Sequence, residues 1–309
     1  MVSTATKPPI IVICGPTGIG KTTAAIEAAE KFNGEIISAD SMQIYRMMEI
    51  GTAKPSHEEC RRVPHHMIDI ADPDEPFDAA RFAEKARKII FDLHRRGVVP
   101  FVAGGTGLYI KALVHGLFQA DPPDPETRRQ IKAEVANLGS DALHNRLTQV
   151  DPEAAERIHP NDRFRIVRAL EMHAVSGVPL SEHHREHSFR DSPFRVLNIG
   201  LTMDREALYA RIDSRVDAMI TAGLEGEVSW LLKSGYSEEL KSMQSIGYRH
   251  MIAYLTRHMP REEALRTMKR DTRRYAKRQM TWFKAVADIV WIEPNRIKEL
   301  YPRIEAFLK

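Results

Sequence analysis

Long apolar runs are missing from this chain of 309 residues, and none approaches the roughly 20 residues that cross a bilayer. A membrane-spanning helix is therefore not expected. Cysteine is scarce as well: Cys14 and Cys60 are the whole complement, too few for a disulfide framework and without zinc-ligand spacing. Such scarcity fits a reducing compartment. The opening MVSTATKPP has neither the basic start nor the apolar stretch of a secretory signal, so the expected location is the cytoplasm. Internal repeats and low-complexity stretches do not occur, and charge of one sign is not in excess, the net value being +3. What is present is an ordinary soluble composition, 43% hydrophobic and 28% charged, on a chain long enough for one large or two modest domains.

The small net charge hides an uneven distribution. From Arg257 to Lys284 ten Lys and Arg face three acids, so this stretch carries +7 and the remainder −4. A basic segment on a mildly acidic body suits a polyanionic partner. A solvated basic helix would give the same count, and charge alone does not separate the two.

One short stretch is far more specific. GPTGIGKT, Gly15 to Thr22, follows the apolar run Ile10 to Cys14 and has the spacing G-x-x-x-x-G-K-[ST] of a phosphate-binding loop. Such a loop works because successive backbone N–H groups converge on anionic oxygens at a helix amino terminus. Lys21 adds a point charge, and the Thr22 hydroxyl is placed to hold a magnesium ion. Cys14, inside the apolar run, reads as a packing residue. Which phosphate occupies the loop is not decided by the loop itself.

The pattern around it predicts an α/β fold, a P-loop NTPase-like parallel sheet flanked by helices. Strands are expected at 10–14, 35–39, 66–70, 98–103, 194–203 and 289–292, with helices at 21–32 and 78–96 between them. Ligands of such sheets bind at the strands' carboxyl ends. At Asp121-Pro122-Pro123-Asp124-Pro125 the pattern changes to helices alone, expected at 125–137, 141–150 and 163–175. This predicts an all-helical insertion over 121–193 within a core of 1–120 and 194–309, the last third mainly helical.

Other candidates lie at the same strand ends. Asp40 leaves the second strand, where its carboxylate suits a metal contact, a general base or simply the N-cap of a helix. Thr106, in Gly104-Gly105-Thr106-Gly107, offers a hydroxyl and free amides. Arg211 and Arg215, four apart on a predicted helix, either clamp a diphosphate or pair with Asp213 and Asp217. His183, His184 and His187 resemble metal spacing but read as part of a charged linker, and His65-His66 as packing or capping residues. Trp282 and Phe283 either stack on bases or anchor the basic helix to the core, and anchoring is favoured.

Taken together these blocks resemble the tRNA dimethylallyltransferase family, also called tRNA isopentenyltransferase. The resemblance rests on GPTGIGKT, IISADSMQIYRMMEIGTAKP (36–55), FVAGGTGLYIKAL (101–113), RIHPNDRFRIVRALE (157–171), QSIGYRH (244–250) and YAKRQMTWF (275–283). They stand in family order and span nearly the whole chain. The resemblance implies transfer of a dimethylallyl group from dimethylallyl diphosphate to N6 of an adenine beside the tRNA anticodon, releasing pyrophosphate, with Mg2+ assisting. It implies that Gly15, Pro16, Thr17, Gly18, Ile19, Gly20, Lys21 and Thr22 bind the diphosphate and that Arg215 helps offset its charge. Asp40 is then the general base, Asp40, Ser41, Met42 and Gln43 meet the flipped adenine, and Thr106 lies near the reacting centre. Further tRNA contacts fall on Arg128, Phe164, Arg165, Arg168, Gln244, Gly247, Tyr248, Arg249, Lys277, Arg278, Gln279, Trp282 and Lys284. Phe164 stands where many bacterial members carry glutamine, a departure at that contact. The expected partners are the anticodon stem-loop of tRNA and dimethylallyl diphosphate, with no membrane, and the expected state is a monomer. Competing readings are a P-loop small-molecule kinase, an RNA-binding protein with a nucleotide switch, and a prenyltransferase acting on free adenine nucleotides.

Overall fold

The structure, a computed structural model, describes residues 7–117, 125–187 and 192–309. Six strands, β1 (Pro9–Cys14), β2 (Gly34–Ser38), β3 (His65–His66), β4 (Val99–Gly104), β5 (Arg195–Leu201) and β6 (Ile289–Ile292), form one sheet in the order β3-β2-β4-β1-β5-β6. Every pairing is parallel. Ile10 to Ile13 are fully buried because β1 lies between β4 and β5 with both faces covered. That is why this strand is a continuous apolar run and not an alternating one. The helix Lys21–Lys31 turns Ala24, Ala25, Ala28 and Ala29 inward, and these small side chains let it lie close to the sheet.

The chain divides into two compact units, Met1–Val114 with Pro193–Lys309, and His115–Ser192. In the second, Ile131, Leu143, Leu147, Ile166 and Leu170 form a separate apolar cluster between the helices Pro125–Val150 and Arg163–Ser176.

Three elements depart from the sequence reading. The strand expected over 66–70 is only His65–His66, because Met67 and Asp69 take positive φ (65° and 54°) and turn the chain away. The helices expected at 125–137 and 141–150 are one helix, Pro125–Val150, which runs through Gly139. A glycine inside a helix costs only about 1 kcal/mol relative to alanine, so it need not end one. The presumed linker around His183 is also a helix, Leu180–His187, with His183 buried against the Ser176 hydroxyl.

Candidate active site

β1 delivers Gly15 to Gly20 straight into the amino terminus of the helix Lys21–Lys31. Gly18 (φ 80°) and Gly20 (φ 103°) hold left-handed backbone, and a Cβ on Gly18 would come within 2.9 Å of Ile212. Only glycine fits there. Lys21 folds back over the loop and donates to the Pro16 carbonyl at 2.9 Å. Cys14, directly below, is buried and its thiol is pushed up to about 12 by that burial, so it is an inert packing residue.

Asp40 stands where β2 ends. Its Oδ1 accepts from the Met42 N–H at 2.8 Å and the Gln43 N–H at 3.4 Å, forming a turn and not the cap of a helix. Oδ2 has no hydrogen-bond partner among the described residues. Thr106 faces this turn from β4's carboxyl end and accepts from the Ser41 N–H at 3.0 Å. Two cavities meet at Asp40. A small one of about 30 Å3 is lined by Lys21, Thr22, Ser38, Gln43 and His65. A larger one of about 320 Å3 is lined by Ser41, Met42, Gly51, Arg215, Arg249 and Tyr275.

Arg215 reaches this region from the helix Arg205–Thr221. The acids expected to neutralise Arg211 and Arg215 are committed elsewhere: Asp213 to Arg273 at 2.6 Å and Asp217 to Lys269 at 2.7 Å. Both arginines are thus without a carboxylate partner among the described residues, and the Arg211 guanidinium lies 3.4 Å from where a Cβ on Gly20 would be. Burial lowers the Arg215 pKa, with Asp40 opposing that shift and Arg211 adding to it. Such a group gains from an anion in the cavity.

Lys21 shows the same demand more strongly. Burial pushes its ammonium down to about 8, Asp40 opposing and Arg215 reinforcing the fall. Without ligand, its charge is complete at lower pH and is lost as pH rises through about 8. The affinity for inorganic pyrophosphate is therefore expected to weaken above that pH, with a proton taken up on binding. Calorimetry in two buffers of different ionisation enthalpy reads that uptake, and pH-independent affinity through this range would show Lys21 to be charged throughout.

The basic helix Arg261–Lys284 has two faces with separate duties. Gln279 is buried, accepting from the Thr17 N–H at 2.8 Å and donating to the Gly105 carbonyl at 2.8 Å. It ties the phosphate loop to the Gly104–Thr106 turn. Tyr275, unmarked by the sequence reading beyond its place in a motif, lines the larger cavity next to Thr106 and Gln279. Burial, then the charge of Asp40, pushes its phenol up to about 12, so it remains protonated. Lys277, Arg278 and Lys284 are exposed and have no carboxylate partner among the described residues, Arg278 lying over the Tyr275 ring at the rim of the larger cavity. Farther back, Arg261, Arg266, Lys269, Arg270, Arg273 and Arg274 each lie within 4.0 Å of a carboxylate. The free charge is concentrated at one end. Phe283 is buried as an anchor, whereas Trp282 is 38% exposed and covers Gly107.

Several residues expected to meet RNA have interior roles. Tyr248 is fully buried with its hydroxyl on Glu227 at 2.5 Å, Gly247 is buried beside it, and Gln279 is the tie just described. Gln43 is buried too, its amide oxygen accepting from the Ser38 hydroxyl at 2.8 Å. Motif membership marks such residues without saying which way they face. Gln244 is exposed, and Arg249 is half-buried, donating to Asp271 at 2.8 Å. In the helical unit, Phe164 is 80% exposed, and Arg165 and Arg168 sit near Asp162 (3.4 Å) and Glu171 (3.6 Å). Arg128 belongs to the helix Pro125–Val150, but its side chain lies outside the described residues. The His65-His66 pair bonds locally, His65 Nδ1 to the Val63 carbonyl and His66 Nε2 to Glu35.

A phosphate loop at the carboxyl edge of a parallel sheet, joined there by a carboxylate and a basic helix, defines a P-loop-type α/β protein. The chain belongs to the IPP transferase family, whose model matches residues 43–286, while a model described as isopentenyl transferase matches residues 8–71. It is 56% identical over 305 residues to a tRNA dimethylallyltransferase of Desulfosudis oleivorans, covering 98% of this chain and 97% of that one. A second tRNA dimethylallyltransferase, from Desulfatibacillum aliphaticivorans, is 53% identical, covering 98% and 99%. Among solved structures, the full-length tRNA isopentenylpyrophosphate transferase of Bacillus halodurans is 42% identical with a TM-score of 0.73, covering 98% and 97%. A eukaryotic dimethylallyltransferase described as acting on tRNA is 32% identical with a TM-score of 0.79, covering 95% of this chain and 75% of that one.

Proposed function

We infer that this protein transfers a dimethylallyl group from dimethylallyl diphosphate to N6 of an adenine beside the tRNA anticodon, releasing pyrophosphate. The observation that carries the reading is the position of Asp40. It lines both the small cavity shared with Lys21 and Thr22 and the larger cavity beside it. The larger cavity also carries Thr17 of the phosphate loop and Arg215, so a diphosphate at the loop and an acceptor beside it would meet at the Asp40 carboxylate, while the small cavity has room for an ion or a water next to Thr22. The names and identities of the relatives favour the same chemistry.

The loop amides, Lys21 and Arg215 hold the diphosphate and offset the charge that grows on it as the bond from oxygen to the prenyl carbon breaks. The new bond forms between that carbon and N6. N6 is a poor nucleophile because its lone pair is delocalised into the ring, so the proton it carries must leave as the bond forms. Asp40 Oδ2 receives it, while Oδ1 is kept in its turn by Met42 and Gln43. Thr106 fixes the turn from the opposite side through the Ser41 N–H. An adenine reaches this pocket only by leaving its stack, which is cheaper from a single-stranded loop than from a duplex.

The donors at the loop suit magnesium. Thr22, Ser38 and Asp40 present oxygen around the small cavity, and no group of three or more His, Cys, Asp or Glu able to hold a metal occurs among the described residues. Mg2+ commonly uses one or two protein oxygens together with substrate phosphates and water. Thr22, with Asp40 nearby, would hold it, and when bound it would help neutralise the leaving pyrophosphate.

Lys277, Arg278 and Lys284 would take the phosphates of the anticodon stem-loop. Replacing Lys277 and Arg278 with alanine should make the slope of log affinity for tRNA against log salt shallower by about 1.4, for roughly 0.7 per single-stranded phosphate contact. A duplex contact would give about 1.8. Binding measured across a salt series decides this, and an unchanged slope would place both side chains away from RNA. No helix among the described residues is long and apolar enough to cross a membrane, and the reading is of a cytoplasmic enzyme acting as a monomer. Its test is incubation with labelled dimethylallyl diphosphate and either tRNA or AMP. Label entering tRNA and not AMP is expected. Label in AMP would favour a free-nucleotide prenyltransferase, and ATP turnover without transfer would favour a kinase.

A further inference from the structure

Two motif blocks, IGTAKP and QSIGYRH, have no part in the mechanism so far, and they meet at a residue outside both. Glu227, on the helix Leu224–Lys233, accepts from three successive backbone N–H groups, Glu49 at 2.9 Å, Ile50 at 2.7 Å and Gly51 at 3.1 Å. A fourth donor is the buried Tyr248 hydroxyl at 2.5 Å. Burial, then the Glu227 charge, raises the pKa of that phenol, so it remains a donor. Gly51 packs so closely here that a Cβ would stand 2.4 Å from the Tyr248 ring. Only a carboxylate offers lone pairs enough for four donors and has no proton of its own to oppose them.

The loop held this way is under tension and faces the site. Met47 (φ 64°) and Ala53 (φ 46°) take left-handed backbone, which persists in such residues only where the surroundings enforce it. Lys54, its side chain almost wholly buried, pins the far end to Glu49 at 2.8 Å and to Asp69. Gly51 and Thr52 then line the larger cavity beside Asp40, Ser41 and Met42. The carbonyls of Thr52 and Ala53 accept from the Gln43 amide at 3.4 and 3.1 Å. The Gln43 backbone in turn closes the Asp40 turn. Hydrogen bonds joined by the 49–53 backbone and by Gln43 therefore connect Glu227 to Asp40.

We propose that Glu227 is a positioning residue of the transfer reaction, setting through the 49–53 loop and Gln43 where the acceptor adenine and Asp40 meet. This rests on the reading that the larger cavity receives the adenine. Glu227→Gln keeps the size but turns an amide N–H2 towards backbone N–H groups. Tyr248→Phe removes one donor and leaves the carboxylate in place.

The test is single-turnover transfer with enzyme in excess over tRNA, which separates amplitude, the fraction of competent enzyme, from the rate constant. Glu227→Gln is expected to keep the amplitude while its rate constant falls about 10–100-fold, the scale of a displacement near 1 Å at a reacting centre. Affinity for tRNA and for pyrophosphate should stay within about threefold, because this loop meets one base of the tRNA only and the phosphates of both ligands are held elsewhere. Tyr248→Phe should lower the rate constant less, by about 3–10-fold. A lowered amplitude at the wild-type rate constant would overturn the proposal, since Glu227 would then only help the chain to fold. If Glu227→Gln yields no folded protein, a wild-type rate constant in Tyr248→Phe overturns it equally. Wild-type enzyme that transfers nothing to tRNA would instead refute the reading of the cavity, and the proposal with it.

Discussion

Replacing Asp40 with asparagine is expected to slow single-turnover prenyl transfer by about 10²–10⁴-fold, the contribution of a positioned general base. Asparagine keeps a side-chain oxygen for the Met42 and Gln43 N–H groups, so the turn survives. It cannot take the proton from N6. The substitution also removes a charge that raises the Lys21 pKa, so ligand affinity should be compared across a pH series on the acid side of 8, where the Lys21 ammonium gains its charge. Affinities for tRNA and pyrophosphate should change far less than the rate. Transfer within a few-fold of wild type would reduce Asp40 to a turn residue or metal contact and move the base elsewhere.

Replacing Lys21 with alanine separates the two substrates. Lys21 is half-buried at the phosphate loop, 2.9 Å from the Pro16 carbonyl and next to Arg215's charge, while Lys277 and Lys284 are exposed on another helix and Arg278 stands at the rim of the larger cavity. Loss of one fixed charge on a developing anion costs about 10²–10³-fold in rate. Kinetics at varied dimethylallyl diphosphate should show that loss together with weaker diphosphate binding. Filter binding should show tRNA affinity nearly intact. An equal loss of tRNA affinity would mean that the diphosphate and RNA sites are not separate.

The parts of this site that were legible beforehand are those whose chemistry is local in sequence. GPTGIGKT needs its glycines, lysine and threonine within one turn between strand and helix, and the structure puts them there. β6 fell on Ile289–Ile292 as expected, an apolar run with no competing turn. The apolar run at 66–70 misled because Met67 and Asp69 take left-handed backbone, which composition does not disclose. Facing was the larger blind spot. Lys277 and Gln279 are two apart in sequence, yet about 200° of helical rotation puts one in solvent and the other against Thr17 and Gly105. Glu227 was invisible for another reason. Its partners Glu49, Ile50 and Gly51 lie 176–178 residues away, and a lone glutamate on an amphipathic helix reads as a solvated charge.

The most direct test is the product itself. Transfer RNA treated with the protein, Mg2+ and dimethylallyl diphosphate would be digested to nucleosides and to oligonucleotides, and both analysed by mass spectrometry. The expected result is a single new nucleoside, N6-dimethylallyladenosine, confined to the oligonucleotide carrying the adenine beside the anticodon, with one pyrophosphate released per transfer. A prenyl group on an atom other than N6 would contradict the assignment of Asp40 as the base for the N6 proton, and modification of adenines elsewhere in the tRNA would contradict the anticodon-loop acceptor.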